Sequence, residues 1–355
     1  MLGHDPEFGG HDAETVGHAP PKYAFTVADG EATPDQANTR ATRFDRIDPR
    51  ASRPQRTGAS HLNDAEELTH FFDARLYDIA YAAILKHAQS VPKSSRKQRA
   101  LQQGGGYQAI ARSDAQRITA ILRKATIGFH NPYVLSLSAP TNERVASSGL
   151  LSQWRGYGGD GGYALVLETT EFDRLLKSEG HKYHYQFAQW GDVYYYADTS
   201  PQQPASEEVE QYESTVRRGV LALVTGKPPE TVPELYDAIT SLSCLYKHWG
   251  FAEEHEVRVV AIPASPDIDA QAAKIDLLKQ VRYSRTFLRG EVQVPYIELF
   301  KDLEPSHTCT RLPIKRVIVG PHRAKHERAD LVRALLSEYG YTAEVTCSEI
   351  PYLGR

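Results

Sequence analysis

Cysteine is scarce in this chain. Cys244, Cys309 and Cys347 are scattered, with no short paired spacing. This gives no zinc-ligand set and no disulfide framework, and it suits a reducing cytosol. Long apolar runs are missing as well. None approaches the roughly 18 residues of a membrane-crossing helix, and the N-terminus lacks the apolar segment of a secretory signal. The expectation is a cytoplasmic protein with neither a membrane partner nor a disulfide partner. An excess of charge of one sign is also absent. The formal net charge is −4, which excludes nucleic-acid binding through overall charge while leaving a local basic patch open. Gly104-Gly105-Gly106 follows the basic run Lys93–Arg99, but no strand precedes it and no GK[ST] follows, so it is a solvated loop and not a phosphate loop. His4, His11, His18 and His61 are too dispersed for a metal, and none is expected. No internal repeat is visible.

What remains has the composition of a soluble globular protein. Of 355 residues 41% are hydrophobic and 24% charged, enough for a sizeable core. Composition changes near Thr57. Residues 1–57 are rich in Gly, Asp, His, Pro, Arg and Thr, with isolated apolar positions such as Tyr23-Ala24-Phe25. The pattern predicts a disordered or loosely attached segment, followed by a single domain over 58–355. Asn63 and Asp64, with Glu66 and Glu67 behind them, predict a capped turn and a helix to about His87. Its inward face holds Leu68, Phe71, Phe72, Leu76, Ile79, Ala80, Ala83 and Ile84. A second helix over about 114–125 turns Ile118, Ile121 and Leu122 inward.

Strands are predicted at 131–138, 163–168, through the tyrosine-rich stretch 182–196, and at 278–281, 286–287, 292–299, 314–319 and 342–350. Helices are predicted at about 206–224, 232–248 and 325–339, the last ending at Gly340 as a C′ glycine. The fold class is therefore α+β, a mixed and mostly antiparallel sheet flanked by helices.

Two stretches carry candidate chemistry. A strand reading from Glu254 onward places Val257, Val259 and Ala261 on one face and Glu254, Glu256 and Arg258 on the other. Such a charged face lines a wet cleft or forms a satisfied ion-pair ladder. Trp154, Arg155 and Tyr157 precede Gly158-Gly159-Asp160-Gly161-Gly162. They read either as a clamp stacking on a planar ligand or as an apolar lid over a sheet edge. Alternation on 131–138 sets Ser136 and Ser138 on one face, opposite Leu135 and Leu137.

Taken together, these segments resemble the domain of unknown function 2971 family, uncharacterised bacterial and phage-associated proteins. The resemblance is carried by Leu62-Asn63-Asp64-Ala65-Glu66-Glu67, Leu135-Ser136-Leu137-Ser138 and Leu151-Ser152-Gln153-Trp154-Arg155-Gly156-Tyr157. It continues through Lys247…Phe251-x-x-Glu254-x-Glu256-x-Arg258, Val294-Pro295-Tyr296-Ile297-Glu298-Leu299 and the segment from Pro313 to Pro321. It spans about Ser60 to the C-terminus. Members open with a Tyr-His-Tyr-Thr-type strand, and nothing similar is expected anywhere upstream of Asn63 here. The resemblance thus implies a displaced start and an incomplete, inactive site if that strand carries a functional residue.

Three readings of the chemistry stay open. In the first, the order of motifs looks similar to an ADP-ribosyltransferase-like enzyme of a toxin or phage-defence type, with NAD as substrate. Glu256 would hold the nicotinamide ribose and stabilise oxocarbenium character, and Glu254 would orient or deprotonate the acceptor. Ser136, Ser138, Trp154, Arg155, Tyr157, Lys247 and Arg258 would form the substrate-binding set. In the second, the chain is a non-enzymatic sensor or binding module for a nucleotide or peptide, and Lys247 and Arg258 neutralise the two glutamates. The third is a metal-dependent nuclease assembled from Asp64, Glu67, Glu254, Glu256 and Lys247, an arrangement that no spacing demands.

Overall fold

A computed structural model of the chain describes residues 23–26, 55–58, 68–90, 94, 99, 102–129, 132–159, 161–196, 207–226, 232–264, 279–289, 292–303 and 311–352. In chain order the elements begin with strands β1 (Tyr23–Thr26) and β2 (Gln55–Gly58). A π-helical turn (Phe72–Leu76) runs into α1 (Tyr77–Ser90), and α2 spans Gly106–Phe129. Then come β3 (Tyr133–Ser138), α3 (Glu143–Ser148), α4 (Leu151–Tyr157), β4 (Tyr163–Leu167) and α5 (Thr169–Lys182). They are followed by β5 (Tyr183–Asp192), β6 (Tyr194–Tyr196), α6 (Glu207–Thr225), α7 (Val232–Leu245) and β7 (Tyr246–His248). A 3-10 turn (Trp249–Glu254) leads to β8 (Glu256–Pro263), β9 (Gln280–Val281), β10 (Arg285–Arg289) and β11 (Val292–Glu298). The chain closes with β12 (Ile314–Val319), α8 (Lys325–Glu338) and β13 (Glu344–Cys347). The architecture is α+β. Where the sequence reading drew one domain over 58–355, contacts group the chain into two compact units, each built from discontinuous segments.

The first unit (1–58, 133–192 and 253–355) holds the large sheet. Its strand order is β10-β11-β2-β3-β1-β4-β12-β13, while β8 also pairs with β3, β5 with β8, and β9 with β5. All pairs in it are antiparallel except β12–β13 and β5–β9. The hub is β3. One edge pairs with β8 along its whole length, from Tyr133↔Ala261 to Ser138↔Glu256. The other edge is shared between β2 at its start (Gly58↔Tyr133) and β1 at its end (Ala24↔Ser138). Two stretches of the segment expected to be loose are thus sheet strands, Tyr23–Thr26 and Gln55–Gly58. The rest of 1–57 lies outside the described residues.

Helix α5 covers this sheet. Glu168 caps its start, the carboxylate accepting from the Glu171 amide at 2.7 Å. Phe172, Leu175 and Leu176 recur at helical spacing and pack with Leu135, Leu137, Val257, Val259 and Ala261. Between β3 and β4 the chain forms two short helices. Asn142 caps the first, accepting from the Val145 amide at 3.0 Å. Farther on, Gly320 lies against the glycine loop so closely that a Cβ there would stand 1.5 Å from the Gly161 carbonyl oxygen.

The second unit (59–132 and 193–252) is helical and, among its described residues, holds one parallel pair, β6–β7. Phe71, Phe72, Leu76, Ile79, Ala80 and Ile84 are buried, as the 3.6-residue spacing predicts, against Val216 and Val220 of α6 and Ile239 and Leu242 of α7. Leu68 is half-buried instead. Helix α2 is longer than expected, and its Ile121 is 56% exposed while Ile118 and Leu122 are buried. The predicted helix over 232–248 stops at Leu245. Tyr246–His248 turns into a strand because its backbone pairs with Tyr194–Tyr196. Among the described residues no helix is long and apolar enough to cross a membrane.

Candidate functional site

The charged strand face resolves into a buried ion pair. On β8 Glu256 and Arg258 are two residues apart and therefore project to the same side. The Arg258 Nε donates to Glu256 Oε1 at 2.8 Å and Nη2 donates to Oε2 at 3.1 Å. Glu256 is 5% and Arg258 0% exposed. This bidentate geometry is among the strongest a guanidinium makes with a carboxylate, and it offsets the desolvation of two charges. Of the two outcomes drawn from the sequence, these two residues form the satisfied pair.

Glu254 does not share that face. It ends the 3-10 turn and is half-buried, and β8 starts only at Glu256. The chain changes direction at His255, which has φ +41°. What the Glu254 site offers β3 is its backbone: the Ser138 hydroxyl donates to the Glu254 carbonyl at 2.7 Å. Ser138 is buried beside Glu256 in register, whereas Ser136, opposite Arg258, is exposed.

The Trp-Arg-Gly-Tyr segment is helical. Trp154 is 2% exposed, its Nε1 donates to the Ser148 carbonyl at 2.8 Å, and it packs with Ala164, Val166 and Ile318. Its ring is therefore core, and stacking on a ligand would need it uncovered. Arg155 is exposed, with its guanidinium 5.3 Å from the Tyr352 ring centroid, and Tyr157 is half-buried. Trp154 and Ser138 both line one small recess, together with Gly149 and Gln153. Lys247 belongs to the second unit, where it is buried on β7 with Nζ 4.7 Å from the Phe251 ring centroid. Asn63, Asp64 and Glu67 lie outside the described residues.

Two polar networks escaped the sequence reading. In the first unit Glu179 of α5 is fully buried. Its Oε1 accepts from Tyr185 and from Arg282 Nε, both at 2.6 Å, and its Oε2 from Arg282 Nη2 at 2.7 Å and the Phe300 amide at 2.8 Å. Burial pulls the Arg282 guanidinium down, but the bonds and charge of Glu179 outweigh it and hold it above its ordinary value. Arg282 also stacks on Tyr183, 3.4 Å from the ring centroid.

The other network lies in the second unit. Glu213 of α6 takes Arg75 Nε at 2.8 Å and the Tyr246 hydroxyl at 2.8 Å on Oε1. On Oε2 it takes Arg75 Nη2 and Arg217 Nη2, both at 2.9 Å. Burial pushes Glu213 up, yet the bonds from Arg75 and Tyr246 and the two arginine charges hold it below the ordinary carboxylate value. Burial and then the Glu213 charge raise Tyr246 and, beside it, Tyr194. Arg75 sits inside the π-turn, a distortion that a 3.6-residue pattern conceals. The local sequence signal for this network was the i, i+4 pair of Glu213 and Arg217 on α6.

Comparison with known proteins gives one match. The family model described as Protein of unknown function (DUF2971) matches residues 153–259. That span starts beside Trp154 and reaches past Arg258, a shorter stretch than the resemblance read from the motifs. No curated protein and no solved structure matches the chain.

Proposed function

We propose that this protein, which carries a DUF2971 domain at residues 153–259, is a non-enzymatic ligand-binding or sensor module whose charged strand is structural. The observation that supports this reading most is the buried Glu256–Arg258 pair. A carboxylate that stabilises an oxocarbenium ion must face the substrate. Here both oxygens of Glu256 meet Arg258, and its side chain is 5% exposed. Transferase chemistry through Glu256 would require that pair to open. The ligand in this reading is a nucleotide or a peptide.

Incubation with nicotinamide-labelled NAD tests it directly. The expected result is nicotinamide release no faster than the protein-free blank, with Glu256→Gln chiefly lowering the melting temperature. Release that the wild type supports and Glu256→Gln abolishes, with folding intact, refutes the proposal in favour of the ADP-ribosyltransferase-like reading.

A further inference from the structure

The Arg75–Glu213–Arg217 network does more than satisfy a buried carboxylate. Two guanidiniums converge on one carboxylate, so the three side chains carry a net charge of about +1 at any pH where Glu213 is ionised. The arrangement is also graded in exposure. The Glu213 side chain is 5% exposed, that of Arg75 28% and that of Arg217 47%. The anion is thus at the closed end and the two cations at the open end. Arg75 meets Glu213 through Nε and Nη2, and Arg217 through Nη2 alone. Each guanidinium has further N–H donors beyond those bonds.

The carboxylate fixes where these donors sit. Glu213 holds the plane of the Arg75 fork through two parallel bonds, which leaves less rotamer entropy to lose when a ligand arrives. Beside the carboxylate the aromatic rings are close-packed: Tyr246 lies against Tyr194, Tyr196 and Phe71 at centroid distances of 5.0, 6.0 and 5.2 Å. The π-turn that carries Arg75 is held in the same cluster by Phe72 and Leu76. A π-turn widens the helix locally and is frequent at functional positions. In this case it places a cation on a helix more than a hundred residues away in sequence.

We propose that Arg75 and Arg217 form the mouth of an oxyanion site that takes a phosphate group. Glu213 is a positioning residue in it, orienting the two guanidiniums without touching the ligand. The site names the ligand chemistry for the binding-module reading and rests on that reading for its role.

The test uses the full chain. Melting temperature and calorimetric titration are followed with inorganic phosphate, with sodium chloride at matched ionic strength, and with acetate. Phosphate is expected to bind and to raise the melting temperature, while chloride does not and acetate, a weaker oxyanion, does so less. Arg217→Gln changes a half-exposed side chain and should fold. It is expected to weaken phosphate binding at least fivefold, and Arg217→Lys should restore part of it. Glu213→Gln, where it folds, is expected to weaken binding too, since the forks lose their anchor despite the gain in net positive charge. Equal effects of phosphate and chloride overturn the site, as does unchanged phosphate affinity in Arg217→Gln. Nicotinamide release from NAD would overturn the proposed function and leave the phosphate titration standing. Absent phosphate binding without such release would overturn this site alone.

Discussion

Removing one member of the Glu256–Arg258 pair leaves the other charge inside the protein. In Glu256→Leu the Arg258 guanidinium, 0% exposed, loses the carboxylate that meets it at 2.8 and 3.1 Å. Breaking such a pair costs about 3–5 kcal/mol. For a unit of this size that lowers the melting temperature by roughly 6–20 °C. Arg258→Met takes the guanidinium away from a buried carboxylate instead, and the two losses differ in kind. A guanidinium cannot deprotonate, so Glu256→Leu has no relief at any accessible pH. Glu256 can protonate. Its folded pKa then rises above the unfolded value of about 4.3, so the full penalty applies above the folded pKa and fades as pH falls toward the unfolded one. Arg258→Met should therefore be less destabilised at pH 5 than at pH 8, and Glu256→Leu should show no such gain. The double variant replaces both charges with apolar side chains and should lie within about 2 kcal/mol of wild type. Chemical denaturation of all four proteins gives the interaction energy directly. Additive single losses, or single losses under about 1 kcal/mol, would refute the claim that this pair is structural.

Three further outcomes are expected. Glu179→Ala removes the acceptor of four bonds from Tyr185, Arg282 and Phe300 and should destabilise by about 3–5 kcal/mol in urea; a loss under about 1 kcal/mol would contradict the network. The folded pKa of Glu213 is depressed. Its contribution is therefore complete above the unfolded carboxylate value and is lost as pH falls through the folded one. Urea midpoints should show the gap between wild type and Glu213→Gln narrowing as the pH is lowered from 7 toward 3, and a gap that widens would reverse the sign. Gly320→Ala would force a Cβ to 1.5 Å from the Gly161 oxygen, so it should yield little folded protein by gel filtration and circular dichroism. Wild-type-like recovery would mean that the glycine loop moves aside easily.

Much of the fold was legible because burial imposes periods on sequence. The 3.6-residue spacing of Phe72, Leu76, Ile79 and Ala83 marked a helix face, and the alternation of Val257, Val259 and Ala261 marked a strand face. Local capping was less secure. Asn142 caps a short helix whose apolar pattern is too brief to mark it in the sequence. The π-turn left no trace, since inserting one residue into a helical turn shifts the face without changing composition.

Sequence alone determined that Glu256 and Arg258 lie on one face of a strand, since their spacing of two fixes that wherever the strand sits. It could not decide whether that face is wet or closed, because burial depends on what the sheet packs against. The tertiary structure decided it, and it also separated Glu254 from the face, since the turn at His255 precedes the first paired residue of the strand. The same limit hid the Glu213 cluster. Its members, Arg75, Glu213, Arg217 and Tyr246, meet only after three separate backbone elements have packed together, and no local pattern records a contact that spans 138 residues.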